Sequence, residues 1–199
     1  MVINSFLTKS WLDAVRAQIR GYNGTLSREG YDNHKTLRDH LDPRMAETRQ
    51  IHERNVLTQL WQKFLWNTEI EGDMLDTQDG AFVHACHTRF GKTLLSSYGN
   101  NDGYGQHVDI DLNCIVTAVL MLKLTDFPTF TGGDFLLEDK VIPFENNKLI
   151  MFPSCTMHGV SPVGMTEPDV YENRRFSLQY FISSVTPSKR FPDESNAQQ

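Results

Sequence analysis

His107 and Asp109 sit two residues apart in the stretch GYGQHVDIDLN, residues 103–113. On an extended strand, side chains two apart point the same way. A neutral imidazole and a carboxylate fixed on one face suit iron(II) or a similar divalent ion. A lone His-x-Asp pair recurs by chance, and a solvated turn would read the same, so a metal site needs a further ligand from a distant part of the chain. His158, in FPSCTMHGVSPV, follows a strand and a tight turn that bring the chain back, and it is the candidate third ligand. The plain alternative for His158 is a strand-end histidine bonded to backbone.

A second chemical signal lies in NRRFSLQYFIS. Read as a strand, Arg175, Ser177, Gln179 and Phe181 share one face. Arg174, Phe176, Leu178, Tyr180 and Ile182 share the other, which is mostly apolar and suited to packing against helices. The first face then places an arginine inside the fold. A buried guanidinium without a partner is very costly, and the sequence offers no obvious buried acid for it. A ligand carboxylate, which a guanidinium binds through two parallel hydrogen bonds, fills that need.

The elements that must hold these residues divide the chain. The first third reads as helical. Thr8 precedes KSWLDAVRAQIR, where Leu7, Trp11, Val15 and Ile19 recur every four residues, and Gly21 marks the stop. A second helix is predicted over residues 53–66, with Val56, Leu57, Leu60, Trp61, Phe64 and Leu65 on one stripe. Residues 21–45 between them are polar and irregular, and segment 21–50 is left as a long loop with the potential to act as a substrate lid. From about residue 80 the signals are short strands: AFVHACHT, KTLLSSYG, GQHVDID, IVTAVLMLKL, GDFLLED, KVIPF, NKLIMFPS, HGVSPV and RRFSLQYFIS. Turn residues separate them. Many short strands with helices beside them predict an α+β, mainly β, sandwich or barrel.

The chain has 199 residues, 39% of them hydrophobic and 22% charged, which is a globular composition. It suits a single domain over residues 1–199, with a helical part to about 75 and a strand-rich core over about 80–185. No apolar run spans a bilayer, and MVINSFLTKSWLDAV lacks the parts of a signal peptide, so a cytoplasmic protein without membrane contact is expected. The net charge of −6 argues against broad charge-driven nucleic-acid binding. Cys86, Cys114 and Cys155 are odd in number and widely spaced, which does not suggest a disulfide framework. The HACH stretch, His84 to His87, has no second cluster to pair with and reads as a strand, so His84 and His87, like Cys114 and Cys155, are taken as structural. The LEDK and FENN stretches are read as solvated turns.

Taken together, His107-x-Asp109, the distant His158 and Arg175-x-Ser177 resemble the 2-oxoglutarate and iron(II)-dependent dioxygenase family, over about residues 80–185. SSYGNNDGYGQHVD, TGGDFLLED and VIPFENNKLIMFPSCTMHGVSPV are similar to the prolyl 4-hydroxylase-like branch. The resemblance implies a double-stranded β-helix (jelly roll) with supporting N-terminal helices. It implies iron(II) on His107, Asp109 and His158, with 2-oxoglutarate on Arg175, Ser177 and Tyr98. Oxygen is the second cosubstrate, and ascorbate is expected to help by reducing oxidised iron. The implied reaction decarboxylates 2-oxoglutarate to succinate and carbon dioxide and hydroxylates a C–H bond. The prolyl residue of a peptide or protein is the first substrate reading; a free amino acid or small metabolite is the second. A cupin-like metal-binding module without catalysis is the reading from another class. Tyr104 would form part of a loop over the iron and contact substrate. Two departures stand out. Arg175 follows His158 by 17 positions, where the branch has about ten, so GMTEPDVYEN reads as an extended loop. Met121 occupies the place of a tyrosine that in relatives helps bind 2-oxoglutarate.

Overall fold

The structure, a computed structural model, describes residues 1–27, 46–65, 91–109 and 114–183. The predicted strand AFVHACHT, with His84, Cys86 and His87, and most of the polar segment 21–45 lie outside the described residues.

The alternation in RFSLQYFIS explains the architecture. Strand β12 (Arg175–Ser183) lies between β3 (Gly91–Tyr98) and β5 (Cys114–Lys123), antiparallel to both. Phe176, Leu178, Tyr180 and Ile182 face outward with Leu95, Leu120 and Leu122, and the helices cover them. Helix α1 (Lys9–Arg20) contributes Val15 and Ile19, and α2 (Val56–Leu65) contributes Leu57, Leu60 and Trp61. Trp61 stacks on Tyr180 with ring centroids 5.4 Å apart. Burying each such aliphatic side chain is worth about 1.5–3 kcal/mol, so this layer fixes which face of the sheet is left for the site.

The full sheet has the order β1-β9-β5-β12-β3-β2, with β1 at Val2–Ile3, β2 at Glu47–Ile51 and β9 at Lys148–Pro153. Its inner face carries Tyr98, Val119, Met121, Ile150 and Phe152. Against it lies a smaller sheet of order β4-β10-β7-β8: β4 (Tyr104–His107), β7 (Phe135–Leu137), β8 (Lys140–Ile142) and β10 (His158–Val160). Phe135, Val160 and Val163 join the inner core from that side. A ribbon of β6 (Phe130–Gly132) and β11 (Val163–Met165) completes the jelly-roll arrangement of two facing sheets. Among the described residues, no helix is long and apolar enough to cross a membrane.

The structure departs from the sequence reading at several points. Helix α2 begins at Val56 because Asn55 Oδ1 accepts from the N–H groups of Leu57 and Thr58, at 2.9 and 3.3 Å, which makes Asn55 the N-cap. Gly21 ends α1 in a right-handed conformation, φ −63°, and the left-handed turn comes later, at Gly24 with φ +75°. The end of the segment 21–50, read as a loop, forms most of β2 (Glu47–Ile51) at the sheet edge, paired with β3. HGVSPV is two strands rather than one. The extended loop before Arg175 contains a 3₁₀ turn, Tyr171–Asn173, whose Tyr171 hydroxyl donates to Ile19 O at 2.9 Å. Asn147, with φ +65°, accepts from Leu7 N and donates to Leu7 O, at 2.8 and 2.9 Å, and so ties the segment before α1 to the sheet.

Candidate metal centre

β4 ends at His107, and β10 begins at His158, directly opposite it in the antiparallel register. Asp109 is not on the strand: it follows the end of β4, where its N–H donates to Ser154 O at 2.8 Å. That bond swings the carboxylate toward the histidines without help from strand alternation. One ligand atom from each of His107, Asp109 and His158 lies within 4.8 Å of the others. His107 Nε2 is 3.5 Å from Asp109 Oδ1, and His158 Nε2 is 3.3 Å from Asp109 Oδ2.

The backbone sets the imidazole tautomers. His107 Nδ1 lies 2.9 Å from Gly105 O, and His158 Nδ1 lies 3.0 Å from Thr156 O. A carbonyl only accepts, so each Nδ1 carries the hydrogen and each neutral ring turns a bare Nε2 lone pair toward the carboxylate. Lone pairs facing one another repel unless a cation lies among them, either protons on both rings or a metal ion. Backbone carbonyls on the remote nitrogens are the usual way a protein orients histidine ligands. Burial disfavours the charge on Asp109, but the two imidazoles beside it, in the protonated form, and the Thr117 hydroxyl outweigh that and hold the carboxyl well below the ordinary range.

The pocket above these residues, counted together with the solvent at its open mouth, takes in about 420 Å³. Its wall includes Tyr104, Val119, Phe135 and Phe181, and it runs past Ser177 to Tyr98. Beyond Ser177 lies Arg175, fully buried. Its Nε donates to Gly133 O at 2.8 Å, Nη1 donates to Ser177 Oγ, and the guanidinium lies over the Tyr98 ring, 4.5 Å from the centroid. Nη2 has no partner. Burial lowers the guanidinium pKa, opposed by Tyr98 and Asp134, and burial raises the Tyr98 phenol; an arginine remains charged nonetheless. Gly133 makes room for this side chain: a Cβ there would lie 2.8 Å from Arg175 Cδ, and its φ is +69°.

Arg174 points the other way, to Glu47 and Asp169 at 2.9 and 2.7 Å, so the two adjacent arginines separate as strand alternation predicts. Met121 is buried on the inner face opposite Ser177 and offers no hydroxyl there. Tyr104 stands at the metal end, its ring centroid 4.6 Å from that of His107. Sequence reasoning missed Thr117 and Ser154, which line the far side of Asp109: Thr117 Oγ1 donates to Asp109 Oδ2 at 2.7 Å, with Ser154 Oγ 3.1 Å behind it. Thr117 follows the alternation of β5, so its inward direction was readable, but its partner was not.

Residues 93–183 match the family model of the 2OG-Fe(II) oxygenase superfamily, a span that begins in β3, ends with β12 and contains every residue of this site. This chain carries a 2OG-Fe(II) oxygenase domain. The family uses iron(II), 2-oxoglutarate and oxygen. Among solved structures, a Pseudomonas putida prolyl-4-hydroxylase is 21% identical, with a TM-score of 0.59 over 92% of this chain and 91% of that one. The structure of OsALKBH1 is 10% identical, with a TM-score of 0.57 over 91% and 96% of the two chains. At these identities the likeness is one of fold. No curated protein matches the chain.

Proposed function

We propose that His107, Asp109 and His158 hold the iron, that Arg175, Ser177 and Tyr98 hold 2-oxoglutarate, and that the enzyme hydroxylates a prolyl residue of a peptide or protein. One observation carries the cosubstrate assignment: the fully buried Arg175 keeps an unpartnered Nη2 while its guanidinium lies against Ser177 and Tyr98, which line the same pocket as the His-Asp-His cluster. An unpaired buried guanidinium donor is costly, and a dicarboxylate lying along the pocket pairs it. Ser177 Oγ accepts from Arg175 and so aims the guanidinium; Tyr98 supports its face and closes that end of the pocket.

Bound iron supplies oxygen activation coupled to decarboxylation of 2-oxoglutarate. The chain's own residues hold, orient and shield. Gly105 O and Thr156 O fix the rings of His107 and His158 so that both Nε2 atoms face Asp109. Val119, Phe135 and Phe181 keep the pocket wall apolar and limit water beside the reacting groups. Tyr104, over His107 and half-buried, is assigned to the substrate side. The prolyl substrate is supported by likeness of fold to the Pseudomonas putida enzyme over nearly the whole chain.

The test is incubation with iron(II), ascorbate and 2-oxoglutarate, following succinate and the mass of a panel of proline-containing peptides. The reading expects succinate formation that is lost in His107→Ala, together with the gain of one oxygen atom on at least one peptide. Succinate formation with no peptide modified, but with free proline or another amino acid hydroxylated, moves the substrate to the small-molecule class and leaves the metal and cosubstrate assignments intact.

A further inference from the structure

Asp109 has two oxygens, and each faces an imidazole, Oδ1 at 3.5 Å from His107 Nε2 and Oδ2 at 3.3 Å from His158 Nε2, but among the described residues Oδ2 alone also accepts from a hydroxyl. Thr117, on the inner face of β5 and buried, donates from Oγ1 to Oδ2 at 2.7 Å. A carboxylate only accepts, so the single hydroxyl proton of Thr117 is committed to that bond. The groups behind it fit this direction. Ser154 Oγ lies 3.1 Å from Thr117 Oγ1 and 2.9 Å from Cys114 Sγ, and the Cys114 thiol donates to Val116 O at 3.1 Å. Ser154 is therefore free to donate to either neighbour, and each of these three side chains has an acceptor for its proton. Backbone bonds stiffen the same group: Asp109 N donates to Ser154 O and Ser154 N donates to Ile115 O, at 2.8 and 3.1 Å.

We propose that Thr117 is a positioning residue for the metal centre: its bond to Oδ2 fixes the rotation of the carboxylate and engages that oxygen, so that Asp109 binds the ion through Oδ1 alone. The inference rests on the reading of His107, Asp109 and His158 as the iron ligands. Its consequence is a matter of counting. Two imidazoles and one carboxylate oxygen use three positions of an octahedral ion, leaving three open. A carboxylate free to chelate through both oxygens would use a fourth, at the expense of cosubstrate. Thr117 thus bears on how much of the ion's coordination sphere remains available.

The experiment is calorimetric titration of the metal-free full chain with manganese(II), followed by 2-oxoglutarate, on wild type, His107→Ala, Thr117→Val and Thr117→Ser. Thermal midpoints of the metal-free proteins are measured alongside. Loss of a hydrogen-bond partner to a metal ligand costs about 10- to 100-fold in metal affinity or activity. The proposal expects Thr117→Val, which keeps shape and loses the donor, to bind manganese still and to weaken 2-oxoglutarate binding at least tenfold. Thr117→Ser, which keeps the donor, should stay within about threefold of wild type. A Thr117→Val variant that binds 2-oxoglutarate as wild type does, while His107→Ala does not bind metal, overturns the proposal and leaves the site reading standing. Lowered midpoints in Thr117→Val with wild-type affinities overturn it equally, since they describe packing alone. Equal manganese binding by wild type and His107→Ala overturns the site reading and this proposal with it. Should Thr117→Val not fold, Thr117→Ala removes the same donor without crowding Ser154 and is judged by the same criterion.

Discussion

Arg175→Met separates a residue kept for a ligand from one kept for the fold. Arg175 is fully buried and, among the described residues, forms no ion pair. Its two hydrogen bonds, to Gly133 O and Ser177 Oγ, are of the charged kind, worth about 1.5–3 kcal/mol each. Against them stands the desolvation of an uncompensated guanidinium, several kcal/mol. The two nearly cancel, so the ligand-free protein should gain or lose no more than about 1 kcal/mol, or roughly 2–4 °C in midpoint for a chain of this size. Binding tells the opposite story. Removing one partner of a buried charge pair costs about 2–5 kcal/mol, which is roughly 30- to several-thousand-fold in affinity. The assay is anaerobic calorimetry of 2-oxoglutarate on the manganese-loaded protein, wild type against Arg175→Met, with thermal melts of both without ligand. A midpoint lowered by more than about 10 °C, with 2-oxoglutarate affinity unchanged, would refute the reasoning and make Arg175 a structural residue.

Two further substitutions probe what holds the site. Gly133→Ala adds a Cβ 2.8 Å from Arg175 Cδ at a φ of +69°, so it should weaken 2-oxoglutarate binding about tenfold or more by displacing the guanidinium, while manganese affinity, measured in the same titration, stays at the wild-type value. Asn147→Ala loses both bonds to Leu7 and places alanine at φ +65°; the sum is about 2–4 kcal/mol, seen as a midpoint lowered by roughly 5–15 °C. Asn147→Gly, which removes the bonds but not the conformational freedom, should fall less far, and equal losses in the two variants would show that the left-handed backbone contributes nothing.

Much of this was legible because one strand carried it. In β12 the period of two separates Arg175 from Arg174 and gives Phe176, Leu178, Tyr180 and Ile182 to the helices, and the structure shows that division. The repeat of Leu7, Trp11, Val15 and Ile19 likewise marks the packed side of this segment, with Leu7 just before α1 and Trp11 only partly buried. Other features depend on partners that a linear pattern does not reveal. ETRQI in β2 has one strongly apolar residue and becomes a strand because β3 offers it an edge. Asp109 meets the histidines through a backbone bond to Ser154, forty-five residues on, and not by staying on a strand. Thr117 reads as one more β-branched residue in a hydrophobic strand until the fold sets Asp109 in front of it.

The most direct test of the account is a crystal structure of the protein grown anaerobically with manganese(II) and 2-oxoglutarate. The account predicts one metal ion bound by His107 Nε2, one oxygen of Asp109 and His158 Nε2, with the far carboxylate of 2-oxoglutarate on Nη2 of Arg175. A metal ion held by other residues, or a 2-oxoglutarate whose far carboxylate leaves Arg175 Nη2 unpaired, would contradict it.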